Sequence, residues 1–373
     1  MIGSQVFLGL TVWKRLKVDK VVKNLTIKGR EAVKCDIVAC ILSIARFCEP
    51  SSELAIAERW YQKTDMDELR GVRSERINSD SLYRALDKIL PHRDKVCRQL
   101  QDRYASWFGT KFDFLLYDVT SVYFEGVSGG NEQAQRGYSR DHRPDCTQIC
   151  IGLVVTLEGL PVGYEIFDGN RSDVTTLDDI VELMEDKYGK ARRVWVFDRG
   201  VVSEDNLDEL RKRKIKYVVG TPKAMLHKVE SELTEKGWEE VRAGVEVKLV
   251  KHPDFEKEKF VLCRSALRKQ KEKAILTKQV MRLEKKLLRI QQSIEKGNLI
   301  NPSVAERRIG RWMGRYSRAE RLFEVRLQQK NGRVVKLKIT RCDQYEQWTN
   351  LAHGAYLLRT NLCEEDPKKL WQI

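Results

Sequence analysis

The sequence predicts an α/β fold: a mixed sheet flanked by helices, preceded by a helical region and carrying a basic helix-plus-hairpin insertion. Three observations predict it. Up to about Gly109 the chain reads as helical, with no strand-like alternation. From Lys111 the pattern changes to short β-branched and aromatic runs, three in succession and then two more separated by helical stretches. Strands in that order make a mixed sheet with helices on its faces. Finally, 24 Lys/Arg against 7 Asp/Glu fall between Lys257 and Lys338, a surplus of 17 that leaves about −2 of the chain's +15 for everything else.

The elements follow in order. Val6 to Trp13 is apolar, with no basic residues ahead of it and no small-residue cleavage site behind it, so it belongs to a core helix or strand rather than a signal peptide. A helix is expected over 30–48, ended by Glu49-Pro50. Ser51-Ser52-Glu53 opens another through Trp60 and Tyr61, with serine as N-cap. Asn78-Ser-Asp-Ser81 caps a helix over 82–90 that stops at Pro91. Short helices with Arg and Lys on their faces suit helix-turn-helix docking on DNA, and equally a plain helical subdomain. Strands are expected at 112–117, with an extension through 122–124, at 147–156 and at 160–167. A helix over 173–187 follows, then a strand over 193–197, a helix opened by Ser203 and running to Arg213, and a strand over 216–220. In the basic segment Leu276, Val280, Leu283, Leu287, Ile290 and Ile294 alternate in steps of four and three, a heptad stripe on a long helix. It is shorter than a coiled coil wants, so packing within the same chain is expected. A second helix is expected over 303–321, and Asn331-Gly332 between 323–330 and 333–340 signals a hairpin. Residues 355–361 return to the sheet. The chain thus divides into a helical region at 1–109, the first part of a core at 110–222, a basic insertion at 223–345 and an incomplete return at 346–373.

At 373 residues there is room for two or three domains with a sizeable core. No stretch approaches a membrane span, and a soluble cytoplasmic, nucleoid-associated protein is expected. The nine cysteines stand singly, with no Cys-x-x-Cys pair and no histidine cluster beside them. That argues against a zinc site and for buried, reduced thiols. No Gly-x-Gly-x-x-Gly follows a strand, which disfavours a dinucleotide-dependent enzyme. The basic segment points to a polyanionic partner, nucleic acid first, weighed evenly against a merely solubilising helix surface.

Two aspartates carry the chemistry. Asp118 closes the run Phe112 to Tyr117, and Asp198 closes Arg193-Val-Trp-Val-Phe197. A carboxylate at a strand mouth is a poor core residue and a good ligand for a hard divalent cation. Either one alone is better read as a turn or cap at a strand end. Three strands, helix, strand, helix, strand is the order of the RNase H-like fold, whose first and fourth strands are neighbours. That order would join two residues 80 positions apart.

The strings around these residues resemble the bacterial insertion-sequence transposases of the DDE class. The resemblance rests on Tyr117-Asp118-Val-Thr-Ser-Val-Tyr-Phe124, Arg136-Gly-Tyr-Ser-Arg-Asp-His-Arg-Pro144, Gly169-Asn170-Arg-Ser-Asp173, Phe197-Asp198-Arg-Gly200 and Tyr356-Leu-Leu-Arg-Thr-Asn361, in that order. It implies an RNase H-like catalytic domain interrupted by an insertion, and two Mg²⁺ ions, replaceable by Mn²⁺, held by two Asp and one Glu. Asp118 and Asp198 then stand as the first and second acids, catalytic and metal-binding. Arg140, Arg143 and Arg199 are expected near DNA phosphates, and Lys285, Lys286 and Arg289 on a DNA-binding helix face. His142 serves equally well as a loop surface residue. The implied partner is double-stranded DNA, both element ends and target, bound by a homodimer in the synaptic complex.

The third acid does not fit the pattern. The family's Tyr-x2-Arg-x3-Glu-x6-Lys matches at Tyr356 and Arg359, but Cys363 falls where Glu belongs and Leu370 where Lys belongs. A chain truncated at its C-terminus, and shortened at its N-terminus too, is therefore expected. Failing that, Glu364, Glu365 and Asp173 are the acids left to consider. Two functions follow: a DNA transposase, or a non-catalytic remnant that binds DNA or a subunit and inhibits an intact transposase.

Overall fold

The computed structural model describes residues 2–26, 29, 31–188, 193–200 and 203–373, in two units, Met1–Arg193 and Val194–Ile373. In the first unit the helical region forms as expected, with Val6, Leu10 and Trp13 on the helix Ile2–Arg15 packed in one core with Cys40, Ile41, Ala45, Ile56, Trp60 and Leu82. The helix expected from Arg30 begins instead at Cys35 and runs to Cys48; Arg30 itself lies outside the described residues. Ser52 caps the next segment by accepting from the Ala55 N–H. That segment is one turn of α-helix followed by a π-helical stretch, Ile56–Trp60, and a 3₁₀ turn. Asn78 forms a reciprocal capping box with Ser81 at the head of Ser79–Ile89.

Three strands follow: β1 Phe114–Tyr123, β2 Gln148–Val155 and β3 Pro161–Asp168. They pair antiparallel, β1 with β2 and β2 with β3. β1 is longer than its apolar run suggested. Leu115, Tyr117, Val119 and Ser121 are buried in alternation, and every residue from Leu116 to Tyr123 has a partner on β2. Asp118 therefore sits mid-strand, opposite Leu153, and not at a strand end. The reason is visible in Val119-Thr-Ser-Val-Tyr123, which keeps the two-residue period after the aspartate. A 3₁₀ turn, Asp173–Thr176, then leads into the helix Leu177–Tyr188.

In the second unit β4 Val194–Phe197 runs parallel to β5 Lys216–Gly220, joined through the helix Glu204–Lys212 with Ser203 as N-cap. β6 Glu239–Arg242, β7 Val245–Lys251 and β8 Lys259–Ser265 form an antiparallel meander. The long helix Ala266–Glu295 buries Val280, Leu283, Leu287, Ile290 and Ile294, the expected stripe. They pack within the chain, against Ala319, Leu322, Phe323, Val334 and Leu337. The single helix expected over 303–321 is broken into Pro302–Arg315 and Ser317–Glu320, because Tyr316 (φ −118°, ψ 48°) leaves helical geometry. β9 Phe323–Lys330 and β10 Arg333–Arg341 form the hairpin, with both Asn331 (φ 51°) and Gly332 (φ 73°) left-handed, as a two-residue type I′ turn demands. β11 Ala355–Thr360 then enters between β5 and β8, antiparallel to both. The strand order in this unit is β4-β5-β11-β8-β7-β6. Three strands from the stretch expected as the basic insertion, β6, β7 and β8, thus join β4, β5 and β11 in one sheet within this unit. Three antiparallel strands followed by helix, parallel pair and flanking helices give an RNase H-like α/β fold with a mixed sheet.

Among the described residues no helix is long and apolar enough to cross a membrane. All nine cysteines are free thiols. Only Cys40, Cys150 and Cys263 are buried, and Cys363 is exposed, so the expectation of buried thiols holds for three. Burial pushes the Cys40 thiol up to about 11 and the Cys263 thiol up to about 12.

Candidate active site

The Asp118 carboxylate stands on the exposed face of β1, its Oδ1 accepting from the Val119 N–H at 2.9 Å. Its two chain neighbours are tied to one turn. On one side the buried Tyr117 hydroxyl donates to Thr176 Oγ1 at 2.9 Å, and Thr176 Oγ1 in turn donates to the Asp173 carbonyl at 2.6 Å. On the other side the Val119 carbonyl accepts from Arg140, whose guanidinium also pairs with the Asp173 carboxylate. Asp173, a spare acid in the sequence, is thus committed to Arg140. Arg140, expected at a phosphate, is half-buried and holds protein groups.

The loop bearing Arg140 is fixed by Gln148 at the start of β2. This side chain is buried and donates through Nε2 to the carbonyls of Tyr138 (3.1 Å) and Gly169 (2.8 Å). Two glycines permit the approach. A Cβ on Gly137 would lie 2.2 Å from the Gly169 carbonyl oxygen, and one on Gly169 would lie 1.8 Å from that of Gln148. The strings 136–144 and 169–173 therefore belong together physically: each supplies a glycine where backbones touch and one member of the Arg140–Asp173 pair.

Asp198 directly follows β4 and is exposed, as is Arg199. Gly220, the last residue of β5, lies beside it. A Cβ there would sit 3.3 Å from the Arg199 amide nitrogen and 3.6 Å from Asp198 Oδ1. Arg143 is engaged nearer home. It donates from Nε (3.0 Å) and Nη2 (2.9 Å) to Asp145 and lies 5.1 Å from the Tyr123 ring centroid. The Arg143 hydrogen bonds hold the Asp145 carboxyl down at about 2. On the long helix Lys285 and Arg289 are exposed, whereas the Lys286 ammonium sits 4.3 Å over the Trp312 ring.

The two residues matching the family's C-terminal pattern have internal partners. Trp371 Nε1 donates to the Tyr356 hydroxyl at 2.8 Å. Arg359 is buried and pairs with Glu204 and with Glu258, which also accepts from the Tyr217 hydroxyl (2.5 Å) and Arg211 Nε (2.6 Å). Burial alone would raise the Glu258 carboxyl, but these hydrogen bonds from Tyr217, Arg211 and Arg359 outweigh it and hold it below the usual range. The run Phe255-Glu-Lys-Glu-Lys259 reads as a solvated turn, so nothing in the sequence marked Glu258. Glu364 accepts from the amides of Glu365 and Asp366, and Glu365 pairs with Lys259. Cys363 is exposed.

Among the described residues no group of three or more His, Cys, Asp or Glu side chains gathers as a metal cage. Exposed carboxylates such as Asp118 and Asp198 still fit Mg²⁺. That ion takes hard oxygen donors and is usually held by one or two carboxylates, with water and substrate phosphates completing the octahedron.

A family model described as "Transposase DDE domain" matches residues 109–329, from just ahead of β1 into β9. The chain belongs to the DDE transposase family. Its DDE domain includes Asp118, Asp198, the Arg140–Asp173 pair and the long basic helix. The chain is similar to the Mos1 transposase in a paired-end complex with the left transposon end, at 11% identity over 51% of this chain and 60% of that one, with a TM-score of 0.21. It is also similar to the piggyBac transposase in a synaptic complex with hairpin DNA, at 12% identity over 70% and 48%, with a TM-score of 0.27. This DDE chain spans three-fifths or less of the length of these solved transposases. No curated protein matches it.

Proposed function

We propose that the protein is a DNA transposase that cleaves phosphodiesters at the ends of its element and joins them to target DNA, working as a homodimer with Asp118 and Asp198 as ligands of a Mg²⁺ pair. The observation that carries this is Asp118, an exposed carboxylate in the middle of a strand, both of whose neighbours are tied to one turn. A mid-strand charge whose strand is held on both sides suits a ligand better than a surface residue. When bound, divalent cations neutralise developing charge and activate the attacking water or DNA 3′-hydroxyl.

The chain's own residues bind and orient. Asp118 and Asp198 hold the cations. Arg199, exposed beside Asp198, meets a phosphate. Arg143 reaches DNA by exchanging Asp145 for a phosphate, a swap between two anions on one guanidinium. Lys285, Lys286 and Arg289 follow the DNA backbone, giving affinity without sequence preference. A second reading has its own support. Cys363 stands exposed where the family pattern places Glu, while Glu364 and Glu365 are engaged with backbone amides and Lys259. On that reading the protein binds DNA or an intact subunit without cutting.

The test is nicking of double-stranded DNA that flanks the protein's own reading frame, with Mg²⁺ or Mn²⁺. The expected result is metal-dependent nicking that Asp118→Ala or Asp198→Ala removes while DNA binding survives. Salt-sensitive binding with no nicking by the unaltered chain supports the second reading. Loss of binding in both alanine variants makes the aspartates structural.

A further inference from the structure

We propose that Arg140 and Asp173 are positioning residues for Asp118, fixing the β1 backbone so that its carboxylate is held ready for a divalent cation. This rests on the reading of Asp118 as a metal ligand. Three observations carry it, all within the first unit.

The contacts converge. Tyr117 and Val119 flank Asp118, and both end on the turn Asp173–Thr176, one through the Thr176 hydroxyl and the other through Arg140 and the Asp173 carboxylate. The guanidinium satisfies the carbonyl of the buried Val119 and, through the Asp173 carboxylate, ties it to that turn. β1 already has its full antiparallel ladder with β2 from Leu116 to Tyr123, so the strand does not need Arg140 in order to form.

The scaffold behind the pair is closely packed and hydrogen-bonded. Gln148 and the two touching glycines fix the 135–140 loop against 169–171. The Ser139 hydroxyl accepts from the Arg143 amide at 2.9 Å. The Tyr117–Thr176 link is deeply buried, Tyr117 being 2% exposed and Thr176 0%.

The chemistry matches a supporting role for a ligand. A half-exposed ion pair by itself adds little stability. Hydrogen-bonded partners behind a metal ligand, in contrast, are typically worth about 10–100-fold in metal affinity. The Arg140 guanidinium suits the task because it presents several donors in one plane, enough for a carbonyl and a carboxylate together.

The experiment is Mn²⁺ binding to the full chain, read as loss of the free-ion electron paramagnetic resonance signal, beside thermal melting of every variant. Asp118→Ala should abolish the site; if it binds Mn²⁺ as the unaltered chain does, the reading beneath the inference fails, and the inference with it. Asp173→Asn and Arg140→Met should each weaken Mn²⁺ by about 10–100-fold while the melting temperature stays close to that of the unaltered chain. The exchanged pair, Arg140→Asp with Asp173→Arg, separates positioning from mere ion pairing. A carboxylate at position 140 restores the pair but cannot donate to the Val119 carbonyl, so melting should again stay close to that of the unaltered chain while Mn²⁺ affinity stays weakened. Tyr117→Phe, which removes only a hydroxyl, should weaken Mn²⁺ in the same direction and serves if the exchanged chain does not fold. Unchanged Mn²⁺ affinity in Asp173→Asn and Arg140→Met, with Asp118→Ala still abolishing the site, overturns the inference and leaves the reading of Asp118 intact. Full recovery of Mn²⁺ affinity in the exchanged pair does the same.

Discussion

Glu258→Gln is the sharpest probe of how the second unit is held together. The Glu258 and Arg359 side chains are each 2% exposed, and Glu258 additionally accepts from Tyr217 and Arg211. Arg359 Nη2 is already buried without a partner among the described residues. Removing the negative charge leaves Arg359 with the more exposed Glu204 as its anion. Breaking one side of a buried pair costs about 3–5 kcal/mol. At a urea m-value of about 2–3 kcal/mol/M, that moves the unfolding midpoint down by roughly 1–2.5 M. The pH dependence has a definite sign. Because the Glu258 carboxyl is held below its ordinary 4.5 in the folded chain, its contribution is whole above about pH 4.5 and is lost as pH falls through the folded value. The variant should therefore show a shallower loss of stability than the unaltered chain as pH falls below 4.5. Hydrogen exchange of peptides covering 216–220 and 355–360 localises the effect. A midpoint within about 0.3 M of the original, or an unchanged acid slope, would refute the argument that Glu258 is the electrostatic anchor of this sheet.

Gly169→Ala should destabilise the first unit by more than about 2 kcal/mol, since the new methyl overlaps the Gln148 carbonyl and no flexible side chain can yield; melting temperature and soluble yield report it. Leu287→Ala, at a site with no solvent exposure on the long helix, should cost about 2–5 kcal/mol. Neutralising Lys285 and Arg289 on the same helix should leave stability within about 0.5 kcal/mol while lowering DNA affinity and the slope of its salt dependence by about two units.

Where local chemistry decides, the sequence was legible. The strand over 216–220, the Asn78 and Ser203 caps and the Asn331-Gly332 turn form as read, because each depends on a few adjacent residues. The heptad stripe correctly foretold burial, yet periodicity has no means of naming its partner, which proved to be the hairpin and the two helices before it. Asp118 was placed at a strand end because a charge after an apolar run looks like a stop. The Thr, Ser and Val residues beyond it keep the strand going, and its pairing with β2 outweighs one exposed charge. Arg140 and Arg359 show the limit more plainly. Arg140 was expected at a phosphate and Arg359 was read only as a match to the family's C-terminal pattern, but their anions, Asp173 at 33 positions and Glu258 at 101, lie too far along the chain for spacing to connect them.

The place of β11 sets a timetable for synthesis. β5 and β8 each have an edge that only residues 355–360 can cover, and the Thr221 amide waits for the Leu357 carbonyl, 136 residues later. On a ribosome adding about 5–20 residues per second, β5 emerges several seconds before its neighbour exists. During that interval two strand margins are left uncovered, each a template for stray pairing. Most of the lysines and arginines of the basic segment are translated after β8 and before β11, and like charges on nascent copies oppose their association. The same basic residues that suit a DNA partner in the finished protein would thus first serve as a solubilising escort for its own unfinished sheet.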